Sequence, residues 1–265
     1  MISIIMSIKN SSKIELENSI KSILNQTYSD FEFIICNDSS EDDTLKRLNI
    51  FCKSDERIKI INNETSNGLA YALNLCLDEC QGEYIARMDV DDISYPNRLE
   101  KQIEFLNDNP NIDFCSSNID LFDGKNITLK NRKYKEFPSK KDLIKSNPFV
   151  HPATFFRKHM IKTLGGYNIS KETRRAEDYD LFFRAYEAGY RGANIQEPLL
   201  RYKLTKSDIK KKWTFQSRIE LIQVKKKGAR LLGIKGVLYL YVYKPLILLL
   251  IPSSIMYNLQ LKKKR

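Results

Sequence analysis

An α/β protein with a doubly wound, mostly parallel sheet flanked by helices, followed by a helical C-terminal tail, is the fold class this sequence predicts. Three observations carry that expectation. Short apolar, β-branched runs alternate with segments of helical period through the first two hundred residues. One of the apolar runs ends abruptly in three carboxylates, at the place where open α/β sheets bind ligands. The charge balance then changes near residue 205: residues 201–265 carry 17 basic and 2 acidic groups of the chain's 44 and 33, leaving the preceding two hundred residues mildly acidic. Two regions are therefore expected, a domain over 1–205 and a basic, apolar tail over 206–265. A basic tail of this kind meets nucleic acid or an anionic membrane.

Taken in order, Ile2 to Ile8 reads as the first buried strand, and Leu16, Ile20, Ile23 and Leu24 fall at helical spacing over 15–24. Phe31 to Cys36 is a second strand, and the polar residues after it cap a helix over 43–52. Ile58 to Ile61 and the helix Leu69 to Leu77 repeat the unit. The run Tyr84, Ile85, Ala86, Met88 then fills a fourth buried strand. Pro96 opens a helix through Leu99, Ile103 and Leu106, stopped at Asn109-Pro110. A hairpin is expected from Ile112–Phe122 and Ile127–Leu129 around Asp123-Gly124. A short helix at Leu143-Ile144, a strand Ala153–Phe156, a turn at Gly165-Gly166 and a helix over 179–188, opened by Glu177-Asp178, complete the domain.

Five cysteines without a Cys-x-x-Cys pair fit a reduced, cytosolic setting, with Cys76 and Cys80 as small apolar residues one helical turn apart. Two histidines exclude a zinc site built on several imidazoles. The chain opens on a strand rather than a basic-apolar-small leader, so it is expected in the cytoplasm. In the tail, Lys210-Lys211-Lys212 and Lys225-Lys226-Lys227 flank a helical segment, and Val237 to Leu261 is apolar and tyrosine-rich but broken by Pro245 and Pro252. That stretch is too short and too interrupted for the ~20 apolar residues of a spanning helix. An interfacial helix pair on the inner face of the plasma membrane is expected, with Lys262-Lys263-Lys264-Arg265 among the groups on anionic headgroups. The same surface could pack on the body or on a second copy as a homodimer. No nucleic-acid recognition motif accompanies the basic residues.

Asp89, Asp91 and Asp92 at one strand end repel one another unless a cation or ligand donors share their charge. Hard carboxylate donors suit Mg2+ or Mn2+, with water and substrate phosphates completing the shell. A metal-held diphosphate is the chemical reading, and a solvated acidic loop capping the helix near Pro96 is the plain one. Arg87 either meets a phosphate or holds the acidic cluster together.

An ordered series of motifs makes the first 203 residues similar to a family 2 glycosyltransferase of the GT-A fold. The series runs through Asn37-Asp38-Ser39-Ser40-x-Asp42-x-Thr44, then Asn67-Gly68-Leu69-Ala70-x-Ala72-Leu73-Asn74, then Gly82-Glu-Tyr-Ile-Ala-Arg-Met-Asp-x-Asp-Asp92. Pro96-Asn-Arg-Leu-Glu-Lys-Gln102, His151-Pro152, Gly165-Gly166-Tyr167 and Glu177-Asp178-Tyr179-Asp180-Leu181 follow. The resemblance is closest to bacterial members that build capsule, lipopolysaccharide or other surface glycans.

The resemblance implies a nucleotide-sugar donor, with UDP expected, and a glycan or lipid-linked acceptor. Asp38 would meet the nucleobase, beside backbone around Ser7 and Lys9, with Asn67 also on the donor. Asp89 and Asp92 would lie toward the ribose and phosphates, Asp91 would hold the metal, and Asp178 would be the general base, with Glu177 and His151 on the acceptor side. One base and no covalent nucleophile implies a single displacement with inversion. Read without the family, Asp38, Asp42 and Glu177-Asp178 could cap helices. The chain departs from the pattern at Ser7, Lys9, Asn37 and Leu73, and it has Tyr202-Lys203-Leu204-Thr205 where Tyr-Arg-x-His is common. The competing enzyme, a sugar-nucleotide pyrophosphorylase, would want a glycine-rich loop after the first strand, absent from Ser7-Ile8-Lys9-Asn10. The competing non-enzyme is an inactive adaptor of this fold that anchors another transferase.

Overall fold

The computed structural model describes residues 1–125 and 128–262. The first half of the domain is four parallel strands, β1 (Ile2–Ile8), β2 (Phe31–Asp38), β3 (Ile58–Asn63) and β4 (Tyr84–Arg87), alternating with α1 (Lys13–Leu24), α2 (Thr44–Ser54) and α3 (Leu69–Glu79). They lie in the order β3-β2-β1-β4; β1, β2 and β4 are largely buried, as apolar runs covered on both faces require, while the edge strand β3 exposes Lys59 and Asn62. Because these strands are parallel and in register, their C-terminal ends form one edge: Ile8 lies opposite Asn37, and Asp38 opposite Asn63. That edge presents Lys9, Asp38 and the acids after β4 together.

Beyond β4 the sheet turns mixed. It continues through β5 (Ile93–Ser94), α4 (Arg98–Asp108), β6 (Phe114–Phe122), β7 (Thr128–Arg132), α5 (Lys140–Lys145), β8 (Phe155–Arg157), α6 (Lys158–Thr163), α7 (Glu177–Glu187) and β9 (Gly192–Lys203). The path is β4-β8-β6-β9-β5 with β7 on β6. The longest of these ladders, β6 with β9, is again parallel. The hairpin forms as β6 and β7 in antiparallel pairing, although β7 reaches Arg132 rather than ending at Leu129. Its residues are polar and half-exposed, so no hydrophobic pattern marks it. Ile127, where the second arm was expected to start, lies outside the described residues. His151–Ala153 forms a 3-10 turn around Pro152, which delays the expected strand to Phe155. Pro198 lacks an N–H and sits in β9 where the register with β6 shifts, the place a sheet tolerates proline.

The tail folds as α8 (Lys206–Lys212), α9 (Phe215–Leu231), a 3-10 segment Gly236–Val242, α10 (Lys244–Leu249) and α11 (Ser253–Lys262). Pro245 sits in the first turn of α10, and Pro252 separates it from α11. No described helix is long and apolar enough to cross a membrane. Much of the tail rests on the body. Ile222, Val224, Ala229 and Val242 join the same core as Phe182 and Phe183 of α7. Lys225 is buried and donates to the Tyr241 carbonyl at 2.6 Å, and Lys227 reaches Asp180 at 2.8 Å. Two lysines of a tail expected to set its basic groups on anionic headgroups are therefore bonded to the protein itself. Lys263, Lys264 and Arg265 lie outside the described residues.

α9 approaches α7 so closely at Gly228 that an added Cβ would stand 2.4 Å from the Phe183 ring. Replacing a helical glycine by alanine ordinarily gains about 1 kcal/mol of helix propensity. Gly228→Ala is expected to reverse that sign and lose about 1–3 kcal/mol through overpacking, measured as a lower midpoint in denaturant unfolding.

Candidate active site

The three acids after β4 gather as the sequence suggested, but they do different things. One oxygen from each of Asp89, Asp91 and Asp92 lies within 4.8 Å of the others. Asp89 pairs with the buried Arg87 at 2.5 Å, so Arg87 does hold the cluster. Its Nε and Nη1 are buried without a hydrogen-bond partner, and the residue also lines the adjoining cavity. Asp92 is 1% exposed. Its Oδ1 accepts the Lys203 N–H at 2.9 Å, and its Oδ2 is buried with no hydrogen bond. Burial, reinforced by Asp91 and Asp89, pushes its carboxyl well above the usual carboxylate range. Asp91 is the most open of the three, its side chain 39% exposed. A buried orphan oxygen and three converging carboxylates are a donor set that fits a hard divalent cation.

Lys203 is the residue the sequence reading passed over. Its backbone is fixed by Asp92, and its ammonium pairs with Glu15 and lies 3.8 Å from Asp91. Burial pulls its pKa down, but Glu15 and Asp91 outweigh burial and hold it above the ordinary lysine value. The only hint in the sequence was its place in the motif where arginine is common. Thr205, at the position of the common histidine, is spent on a helix cap: its hydroxyl accepts the Asp208 N–H at 3.2 Å and opens α8.

A cavity of about 590 Å³ joins Asp89 to the second acidic pair and to His151, with Arg87 at its edge. Glu177 and Asp178 form the first turn of α7. Asp178 accepts from Asn147 Nδ2 at 2.8 Å and from the Tyr179 N–H at 2.8 Å, at the end of the helix that favours an anion. Glu177 is almost fully buried, and burial together with the Asp178 charge raises its pKa to about 7. His151 is buried, its Nε2 2.8 Å from the Tyr167 hydroxyl, and burial followed by the Arg87 charge holds it neutral, well below the usual histidine range. Arg132, Trp213 and Arg218 also line this cavity, and no motif pointed to them.

The remaining expected donor residues sit apart from that cavity. Asp38 does not cap α2; it is buried and accepts from Asn63 Nδ2 at 2.6 Å and Ser66 Oγ at 3.3 Å. Lys9 Nζ donates to the same Ser66 hydroxyl at 2.9 Å, so Lys9, Ser66 and Asp38 form one network. Ser7 is half-buried in β1 opposite Cys36. Asn67 lines a neighbouring cavity of about 410 Å³ that also touches Glu177. Asp42 is held to the Thr44 N–H at 2.9 Å, a local turn at the start of α2.

The model of the family described as Glycosyl transferase family 2 matches residues 3–165. The chain belongs to that family. It is 37% identical over 257 residues, 96% of this chain and 91% of the other, to the putative glycosyltransferase EpsE of Bacillus subtilis. It is 37% identical over 212 residues, 77% of this chain and 80% of the other, to the O-antigen biosynthesis glycosyltransferase WbnJ of Escherichia coli. Among solved structures, the mannosyltransferase PcManGT of Pyrobaculum calidifontis, in complex with GDP-Man and Mn2+, aligns at a TM-score of 0.70. That alignment has 16% identity and covers 98% of this chain and 79% of that one. The glycosyltransferase fold is therefore GT-A, and the similarity to EpsE spans nearly the whole chain, tail included.

The raised pKa of Glu177 has a consequence for stability. A carboxyl that holds its proton to about 7 when folded, against 4.5 ordinarily, costs the fold free energy as pH climbs through that window. Glu177→Gln removes the cost, so the variant is expected to melt higher than the parent at pH 8, with the advantage vanishing near pH 4.5 and below. Thermal melts across that range check it.

Proposed function

We propose that the chain is an inverting glycosyltransferase that moves a sugar from a nucleotide sugar, with UDP as the nucleotide, to a glycan or lipid-linked acceptor in cell-surface polysaccharide biosynthesis. The observation that carries this reading is the single cavity that faces Asp89 of the acidic cluster toward Asp178. An activated donor needs charge control at its diphosphate, and an acceptor hydroxyl needs a proton taken away. Asp89 and Arg87 on the one side and Asp178 on the other line the same cavity.

In this reading Asp91, with Asp89 beside it, would hold Mn2+ or Mg2+, which supplies Lewis-acid stabilisation of the departing nucleoside diphosphate. Lys203 adds a fixed positive charge beside Asp91. The Lys9, Ser66 and Asp38 network, near Ser7 and Asn67, receives the nucleoside, where a carboxylate at Asp38 can accept the uracil imide N–H. Asp178 accepts the proton of the acceptor hydroxyl as its oxygen bonds to the anomeric carbon and the bond to the diphosphate oxygen breaks. One such displacement inverts the anomeric centre. Glu177 and His151 border the acceptor, and Asp92 fixes Lys203 from behind. Residues 1–205 form the transferase domain in this scheme, and 206–265 associate with the inner face of the membrane.

The test is calorimetric titration of UDP and of GDP with and without manganese. UDP binding that strengthens with the metal is expected, with GDP weaker. An adaptor would show no metal-dependent nucleotide binding, which would end the enzymatic reading.

A further inference from the structure

Pro96-Asn-Arg-Leu-Glu-Lys-Gln102 stands in the motif series, yet no step of the reaction uses it. Two of its residues, Arg98 and Gln102, lie one turn apart on α4, and both are 0% exposed. A buried arginine ordinarily faces a carboxylate. Here each hydrogen-bond partner is neutral. Nε donates to Gln102 Oε1 at 3.0 Å, Nη1 to Met88 Sδ at 3.3 Å and Nη2 to the Arg87 carbonyl at 2.7 Å. Burial pulls the Arg98 pKa down to about 10, which still leaves a cation at neutral pH.

Gln102 carries the link onward. Its Nε2 donates to the Ala153 carbonyl at 2.8 Å, and the carbonyl of the next residue, Thr154, accepts the Arg87 N–H at 3.0 Å. Arg87, Arg98, Gln102 and Ala153-Thr154 thus close a ring of bonds. Two parts of the site hang from it. On one side β4 ends at Arg87, so the three carboxylates follow directly on the carbonyl that Arg98 holds. On the other side Ala153 ends the 3-10 turn that begins at His151, and Thr154 is tied back to the His151 carbonyl by its N–H at 3.1 Å and its hydroxyl at 2.7 Å.

We infer that Arg98 and Gln102 are positioning residues that hold the acids after β4 and the His151 turn at a fixed separation across the active site. A buried charge is costly, and a methionine would fill the same space without one. What the guanidinium adds is direction, a planar fork that meets its acceptors at set angles. Neither residue lines the cavity that Asp89 shares with Asp178, so both act through the backbone they hold. The inference rests on the transferase reading, because it is there that these acids hold a cation and His151 borders the acceptor.

Two readouts separate positioning from bulk or charge. The first is the manganese response of UDP binding, taken calorimetrically as the affinity with the metal over the affinity in chelator. Arg98→Met should lower that response about tenfold, as loss of outer-shell support does at metal sites. UDP affinity in chelator should hold, since the Lys9, Ser66 and Asp38 network shares no bond with the ring. Arg98→Lys should lower the response as well, because an ammonium keeps the charge but lacks the fork. The second readout is the NMR signal of the His151 imidazole. The chain has two histidines, and His159, on α6 and outside the ring of bonds, is the control. Gln102→Leu should shift His151 and leave His159 in place.

A full manganese response in Arg98→Lys would assign the role to charge and overturn the inference. A response that falls only in step with the folded fraction, followed by circular dichroism in the same buffer, would overturn it too, as would unshifted His151 signals in Gln102→Leu. Should Arg98→Met fail to fold, the lysine and leucine variants still decide. If the parent itself binds UDP without any manganese response, the metal-dependent transferase reading falls, and the His151 signals alone judge the clamp.

Discussion

Asp178→Asn is expected to abolish measurable turnover, a fall of about 10²–10⁴-fold, while UDP affinity stays at the parent value. The amide keeps the shape of the side chain, and its oxygen can still accept from Asn147, which now donates to Asp178 Oδ2 at 2.8 Å. What the substitution removes is the capacity to take a proton. The nucleoside network at Lys9, Ser66 and Asp38 shares no hydrogen bond with Asp178, so donor binding has no reason to change. Glu177 supplies an internal control. The Asp178 charge is the second cause, after burial, of its raised pKa. In Asp178→Asn, Glu177 should therefore ionise at lower pH, and the alkaline stability penalty should shrink even as activity disappears. If turnover survives, Asp178 leaves the mechanism, and Glu177, titrating near neutrality, becomes the base to substitute next.

Much of the parallel half of the sheet could be read directly because its signals are local. Ile2–Ile8 and Phe31–Asp38 are buried runs whose β-branched and aromatic residues say strand without tertiary help. The acids after β4 were equally visible, yet their division of labour was not. Nothing in Asp89-x-Asp91-Asp92 says that the first pairs with a buried arginine, the last anchors a distant strand, and the middle one stays open. Those assignments come from β9 and from Arg87, more than a hundred residues apart in sequence. The tail was least legible for the same reason. Lys225-Lys226-Lys227 has the composition of a solvated face, but Lys225 is buried and Lys227 is clamped to Asp180 because Gly228 lets α9 settle onto Phe183. Short polar elements such as β7, and the two residues of β5, carry too little pattern to be seen before their partners are known.

Asp91→Asn is expected to remove the manganese dependence of UDP binding, weakening the metal-supported affinity by about 10- to 100-fold or more. Among the three acids it is the clean choice. Asp89→Asn would strip the partner from a guanidinium that is 2% exposed, a buried charge left unpaired at a cost on the order of 3 kcal/mol, and any loss of binding would be confounded with loss of fold. Asp92→Asn would disturb the tie to the Lys203 backbone and so move a second residue of the site. Asp91 is the most exposed of the acids, and Lys203 stands 3.8 Å away on a backbone that Asp92 holds, so neutralising Asp91 should leave the fold intact. Lys203 also sets what remains: with its ammonium still beside the site, Asp91→Asn should retain weak UDP binding that is the same with manganese and with chelator. The companion Lys203→Met should show the opposite pattern, keeping the manganese response while lowering affinity in chelator. Equal manganese responses in the parent and in Asp91→Asn would move the cation away from this residue, and the acidic cluster would then be the scaffold for Arg87 and Lys203 rather than a metal site.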